Sequence, residues 1–361
     1  MSAADRDWVA IKDYQKFVDP PTSNSSGNDA KERYLCTRLV VMSDTHGLHR
    51  SLYLPAGDVL IHAGDLTQSG ELRILEDLAQ CFDSVKDRYS SIVCIAGNHD
   101  LTLHRPCYDE IWPRFHVCKE DANACIDAIK KCSAVYLEDS SCTVSGDLRI
   151  YGSPWTPYFH HWAFNFPPDD QGVAARAKWN QIPEDIDILI THGPPLGRCD
   201  LSVTGRAGCR QLLEQVQQRT PPPRVHLFGH IHEARGSSFD GKTLYVNASN
   251  LDLHSGRVVH PCCVIDVPHD RSQPARMVEP DCKQLTSQHD LVQWLDTHGY
   301  GEIAAVLRKS VACDIPLGNE LLCAEAEERL VNALGVHQED RPAKQKLHEA
   351  LQALYADSFS F

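Results

Sequence analysis

Nothing in the 361-residue chain approaches the roughly 18–20 consecutive apolar residues that cross a bilayer. The N-terminus, MSAADRDWVAIKDYQKF, also lacks the apolar stretch of a secretory signal. A membrane protein is excluded on this reading and a secreted one is not expected. Positive charge is in short supply: 35 Lys+Arg stand against 49 Asp+Glu, for a net charge of −14. That balance makes a broad nucleic-acid-binding surface an unexpected feature. C-x-x-C pairs are missing, so the 15 cysteines, an odd number, form neither zinc clips nor the dense framework of a small secreted domain. Cys118, Cys125 and Cys132, evenly spaced, predict reduced thiols on one helix face. The N-x-S sequons at Asn24 and Asn247 carry no meaning without a secretory route. Repeats and low-complexity tracts are absent too. A reducing, cytoplasmic setting is the expectation.

What is present is the composition of an ordinary globular protein, 42% hydrophobic and 23% charged, in a chain longer than one typical domain. Residues 1–35 mix charges with PPTSNSSGNDA and read as a mobile tail. Over residues 36–270 short apolar runs recur between turn signals: RLVVMSD, DVLIHAGD, SIVCIAGNHD, LRIYGSP, DILITHG, VHLFGHIH, TLYVNAS and CCVIDV. Runs this short and apolar on both faces suit buried strands, and helical stretches such as ELRILEDLAQCFDSV lie between several of them. The expected fold is α/β and layered, with much parallel pairing. Residues 271–285 are polar and read as a linker. Residues 286–357 switch to helical periodicity, with Asp340 as a helix cap and Pro342 in the first turn behind it. A small all-α unit is expected there.

The polar residues fall at strand ends. Asp44 and His46 follow RLVVMS, Asp65 follows DVLIHAG, and Asn98 and His99 follow SIVCIAG. His192 follows DILIT; His230 and His232 follow VHLFG. In open α/β sheets, ligands bind outside the carboxyl ends of parallel strands. Carboxylate, amide and imidazole donors without thiolate suit Mn²⁺, Fe or Zn²⁺. Two Asp, one Asn and three or four His are too many donors for one tetrahedral ion. Two ions sharing a carboxylate would use them all, with a bridging water as the attacker of phosphorus. His62, inside a strand run, reads as a hydrogen-bonded core histidine, and His49 and His104 as loop residues.

DTH, GD, GNHD, THGPP and GHIH occur in the order of the calcineurin-like metallophosphoesterase superfamily, which the sequence resembles over roughly residues 36–268. YGSPWTPYFHHWAFN, RAGCRQLLEQVQQR and YVNAS further resemble the metallophosphoesterase-domain-containing proteins grouped with class III cyclic nucleotide phosphodiesterases. The resemblance implies an α/β-β/α metallophosphoesterase sandwich. It gives one metal to Asp44, His46, Asp65 and His232, and the other to Asp65, Asn98, His192 and His230, with Asp65 bridging. His99 would contact the phosphate and protonate the leaving oxygen, and Asp100 would orient His99. Some relatives carry Gly in place of the last His; this chain keeps His232.

Hydrolysis of a phosphodiester, including cyclic nucleotides, is the implied activity. A phosphomonoesterase or protein phosphatase on the same site is the rival enzyme, and a non-catalytic scaffold the rival without turnover. Asn98, His99, His160, His161 and Arg206 are candidate substrate contacts. The two histidines lie in an aromatic loop, and Arg206 precedes an expected helix N-terminus. The C-terminal segment resembles a sterile alpha motif (SAM) domain through Trp294-Leu295, Tyr300, Leu321-Leu322, Leu334-Gly335-Val336 and a long last helix with Lys346. That implies association with itself or with another SAM-containing protein. With 12 Asp+Glu and 6 Lys+Arg over residues 286–361, protein partners are favoured over RNA.

Overall fold

The computed structural model describes residues 2–24, 35–168, 171–252, 256–258, 260–279, 288–297, 299–309, 326–333 and 341–357. Two mixed sheets face each other. The first contains β1 (Thr22–Asn24), β2 (Cys36–Met42), β3 (Val59–Ala63), β4 (Ser91–Ile95), β5 (Val135–Tyr136), β16 (Cys263–Pro268) and β17 (Arg276–Glu279). Its strand order is β1-β17-β16-β2-β3-β4-β5. The second contains β6 (Ser140–Val144), β7 (Leu148–Ser153), β8 (Ile188–Thr191), β11 (Val225–Phe228), β12 (Gly236–Phe239) and β13 (Leu244–Asn247), in the order β12-β13-β11-β8-β7-β6. Two small hairpins, β9 (Leu201–Ser202) with β10 (Gly205–Arg206) and β14 (Leu251–Asp252) with β15 (Arg257–Val258), stand apart.

Alternation along the strands sorts the core into layers. Leu39 and Val41 of β2 point between the sheets, with Ile61, Val93, Ile190, Leu227 and Val246. Val40 and Met42 point outward instead, onto Leu75, Leu78 and Phe82 of α2 (Leu72–Val85), Tyr108 and Ile111 of α3 (Arg105–Ile111) and Cys125 and Ile129 of α4 (Ala122–Lys131). On the outer face of the second sheet, Tyr151, Leu189 and Phe228 meet Trp179 of α5 (Val173–Trp179) and Leu212 and Val216 of α6 (Arg210–Gln217). Both faces of each sheet are covered, which is why the strands read as unbroken apolar runs. The layers run α/β/β/α, as expected. The parallel ladders β2/β3, β3/β4, β7/β8 and β8/β11 aim their carboxyl ends at one edge of the sandwich.

The ends of the sandwich differ from expectation. Residues 3–24 are not a mobile tail: α1 (Ala3–Ile11) opens with a capping box in which Ser2 Oγ accepts from Asp5 N at 3.0 Å and Asp5 Oδ2 accepts from Ser2 N at 3.1 Å. β1 then pairs in parallel with β17. The linker expected over 271–285 contains β17, whose Met277 packs between the sheets and whose Val278 packs outward. That alternation inside a polar stretch is what makes it a strand. The cysteine spacing does not mark one helix face either. Only Cys125 lies within α4; Cys132 caps it and Cys118 is exposed ahead of it.

Four helices follow: α7 (Gln288–Thr297), α8 (Gly301–Lys309), α9 (Ala326–Ala333) and α10 (Arg341–Asp357). Leu291, Trp294, Leu295, Leu307, Leu347, Leu351 and Leu354 share one core, and Val264 and Val278 on the outer face of β16–β17 join it. Asp340, Leu321-Leu322 and the Leu334–Val336 turn lie outside the described residues, as do 25–34 and 280–285. Among the described residues, no helix is long and apolar enough to cross a membrane.

Candidate active site

Each ligand candidate is set by a strand that stops and a backbone that turns sharply. Asp44, His46, Asp65 and His230 all have positive φ, at 54°, 45°, 53° and 68°. Left-handed backbone is uncommon for side-chain-bearing residues and clusters where function requires it. The glycines of the GD and GN motifs have a steric reason. A Cβ on Gly64, itself at φ +101°, would strike His192 Nδ1, and one on Gly97 would strike Asp65 Oδ1.

The structure brings the expected donors together. One group comprises Asp44, His46 and His232, a second Asp65, His192 and His230, and a third His46, Asp65 and His99; within each, the ligand atoms lie within 4.8 Å of one another. Asp65 Oδ2 sits 3.2 Å from His192 Nε2 and 3.8 Å from His46 Nε2, so Asp65 stands between the Asp44–His46–His232 group and the His192–His230 pair. Asn98 Oδ1 is 3.0 Å from His192 Nε2. Asp44 is 3.2 Å from His232 Nε2 and accepts from the His230 backbone at 2.9 Å and from Ser249 Oγ at 2.8 Å.

The tautomers test whether these residues fit cations. His46 Nδ1 faces the Thr67 carbonyl at 3.2 Å, and His192 Nδ1 faces the Ala63 carbonyl at 3.0 Å. A carbonyl accepts only, so each Nδ1 carries the hydrogen and each Nε2 presents a lone pair to the centre. His46 Nε2 and His232 Nε2 face each other at 3.4 Å, a pairing that a shared positive ion stabilises. The residues fit a pair of divalent cations.

Electrostatics agree. Burial alone would raise Asp44, but the hydrogen bond and charge of His232 hold it well below the ordinary carboxylate range. Burial is likewise overcome at Asp65, where His192 and His99 keep the carboxylate ionised. Burial opposes a proton on His192, yet Asp65 pulls it up to about 9, so without a cation Nε2 is protonated between Asp65 and Asn98, and its lone pair faces the centre only when an ion displaces that proton. Burial pushes His46 down to about 4 and His230 down to about 3, leaving both neutral and able to ligate at neutral pH.

Asp100 is not the orienter of His99. Its Oδ1 accepts from Thr67 N at 2.9 Å and Thr67 Oγ1 at 2.7 Å, and its Oδ2 from Gly97 N at 2.7 Å and Leu66 N at 3.1 Å. Asp100 thus ties the loop bearing Asp65 to the loop bearing Asn98. His99 is held by other means: its Nδ1 lies 2.7 Å from the Gln68 carbonyl, the Trp162 ring lies 4.1 Å from it and the His46 ring meets it edge-on at 4.5 Å.

The remaining candidates lie farther out. Arg206 sits in β10, not at a helix N-terminus, since α6 begins at Arg210. It is ion-paired to Asp200 and lies over the Trp8 ring at 4.4 Å. His160 and His161 occupy an exposed loop tip with left-handed backbone; Tyr158 and Phe159 before them line a cavity that also reaches His230 and Arg206. His62 is a core histidine, hydrogen-bonded to Thr45 Oγ1 at 2.9 Å. His104 accepts from Phe164 N at 3.0 Å, and His49 is buried beside Asp77. Sequence reasoning missed Ser249; its only signal was membership of the YVNAS stretch.

The sequence profile of calcineurin-like phosphoesterases matches residues 37–234. The chain is 42% identical over 266 residues to metallophosphoesterase domain-containing protein 1 of Homo sapiens, covering 71% of this chain and 77% of that one, and the same figures hold for Mus musculus. It is 35% identical over 270 residues to a UPF0046 protein of Caenorhabditis elegans, covering 70% and 63% of the two chains.

Proposed function

The chain belongs to the calcineurin-like phosphoesterase family, and we propose that it hydrolyses a phosphodiester at this cleft with two metal ions held by Asp44, His46, Asp65, Asn98, His192, His230 and His232. The observation that carries the reading is the position of Asp65 between the Asp44–His46–His232 group and the His192–His230 pair. When bound, two such ions neutralise phosphoryl oxygens and activate water for in-line displacement. Mn²⁺, Fe and Zn²⁺ all suit these donors.

The chain's own residues do the rest. Thr67 and Ala63 fix the imidazoles of His46 and His192 so that Nε2 faces inward. The Gln68 carbonyl accepts from His99 Nδ1, which leaves Nε2 as the nitrogen from which His99 would deliver a proton to the leaving oxygen as the P–O bond breaks. Asp100 holds the two loops at fixed separation. The diester preference draws its support from the sequence resemblance to proteins grouped with class III cyclic nucleotide phosphodiesterases and from the wide cavity beyond His230.

Turnover of bis-p-nitrophenyl phosphate and p-nitrophenyl phosphate by metal-loaded protein is the test. Faster hydrolysis of the diester is expected; the reverse ranking makes this a monoesterase, and inactivity toward both with metals bound leaves a scaffold.

For α7–α10 we propose a SAM-like association module that binds a second copy or another SAM-containing protein. Support comes from the Trp294–Tyr300 stack at 6.2 Å, the long last helix and the excess of acidic residues. Sedimentation of the full chain against a chain ending at Pro280 checks it; identical behaviour counts against self-association.

A further inference from the structure

We propose that the N-terminal helix is a wall of the substrate cleft and that, together with Tyr158 and Phe159, it receives an uncharged aromatic substituent of the ester. The inference rests on the phosphodiesterase reading of the same site. A cavity of about 940 Å³ runs from His230 to α1, where Ala4 and Asp7 line it. That volume falls at the upper end of the roughly 300–1,000 Å³ typical of small-molecule sites.

Three observations give the ligand its character. The Phe159 ring stands edge-on to His230 at 6.2 Å, so the aromatic wall begins at a ligand candidate. Tyr158 and Phe159 are 44% and 49% exposed, an unusual amount of flat apolar surface to leave beside a polar cleft. The nearby cations are already matched: Arg206 pairs with Asp200, Arg210 with Asp7 at 3.1 Å and Glu214 at 2.8 Å, and Arg176 with Glu214 at 3.0 Å. A second anionic group would have to displace these carboxylates, whereas a neutral ring needs only apolar contact.

The wall is fastened to the site rather than lying loosely on it. Asp5 Oδ1 accepts from Arg206 N at 3.0 Å, Ser2 Oγ donates to the Arg206 carbonyl at 3.3 Å, and Trp8 underlies the Arg206 guanidinium.

Calorimetric binding of diphenyl phosphate and dimethyl phosphate to the metal-loaded full chain tests the inference. The native protein is expected to bind the diphenyl ester at least about tenfold more tightly. Ala4→Trp, which fills the cavity from a helical position, is expected to erase that preference. Ala10→Trp, on an exposed position of the same helix away from the cavity, is expected to retain it. No preference in the native protein, or an undiminished one in Ala4→Trp, overturns the proposal. Normal discrimination without hydrolysis of bis-p-nitrophenyl phosphate would instead sink the phosphodiesterase reading and leave this wall standing.

Discussion

At the N-terminal flank, α1 buries no residue completely and meets the sandwich through caps, an ion pair from Asp7 to Arg210 and the Trp8 ring beneath Arg206. At the C-terminal flank, α7–α10 share a core of Leu, Val and Trp side chains with Val264 and Val278 of the first sheet. The first set of contacts is polar and partly exposed, worth little each and easily exchanged. The second is apolar burial, worth about 1.5–3 kcal/mol per large side chain. The difference separates a segment that is lightly fastened beside the cleft from one that is packed firmly onto the first sheet.

The largest effect expected is on neither flank. Asp65→Ala removes the carboxylate between the cation positions, and turnover should fall roughly 10³-fold or more. Sedimentation of the same variant should match the native protein, since α7–α10 lie on the outer face of the first sheet. A change in association would show that the flanks are not independent.

Acid should loosen both flanks together by unfolding the sandwich beneath them. Burial pushes His226, fully enclosed and bonded to Thr191 Oγ1 at 2.8 Å, down to about 3. Unfolded, it takes up a proton near 6.5, so the unfolded chain binds more protons between those values. The stabilisation is therefore complete above about pH 6.5, declines as the pH falls and is exhausted near 3. His226→Gln should flatten the urea-unfolding stability over that window by on the order of a few kcal/mol.

Leu351→Ala should cost about 2–4 kcal/mol by denaturant melting, because Leu351 is enclosed among the four helices, while kcat stays unchanged. Asp7→Ala should cost at most about 1 kcal/mol. Its effect should appear as faster amide exchange over Ala3–Ile11 and nowhere in α7–α10. Equal responses of both flanks to either substitution would break the contrast.

The positions of the donors were legible because the signal is doubled: a buried strand announces itself as an apolar run, and a ligand follows directly on its end. Asp44, Asp65, His192 and His230 needed nothing more. Asp100 was misread because sequence adjacency says nothing about direction; Asp100 and His99 are neighbours whose side chains serve different loops. The hairpin of β9 and β10 that carries Arg206 ahead of α6 was hidden because it is two residues deep on each side, too short for any periodicity. The N-terminal helix was hidden by its own weakness. Nine residues with no buried face cannot be told from a tail, and the one local sign was Ser2 with Asp5 three residues on.

The four backbone and hydroxyl donors gathered by Asp100 have a mechanical result. Because one carboxylate clasps the strand tips carrying Asp65 and Asn98, the jaws of the cleft cannot widen separately. If the cleft holds two ions as proposed, a bulkier one on one side would be felt on the other, and selection among metals would rest on the gap the two span and not on either seat taken singly.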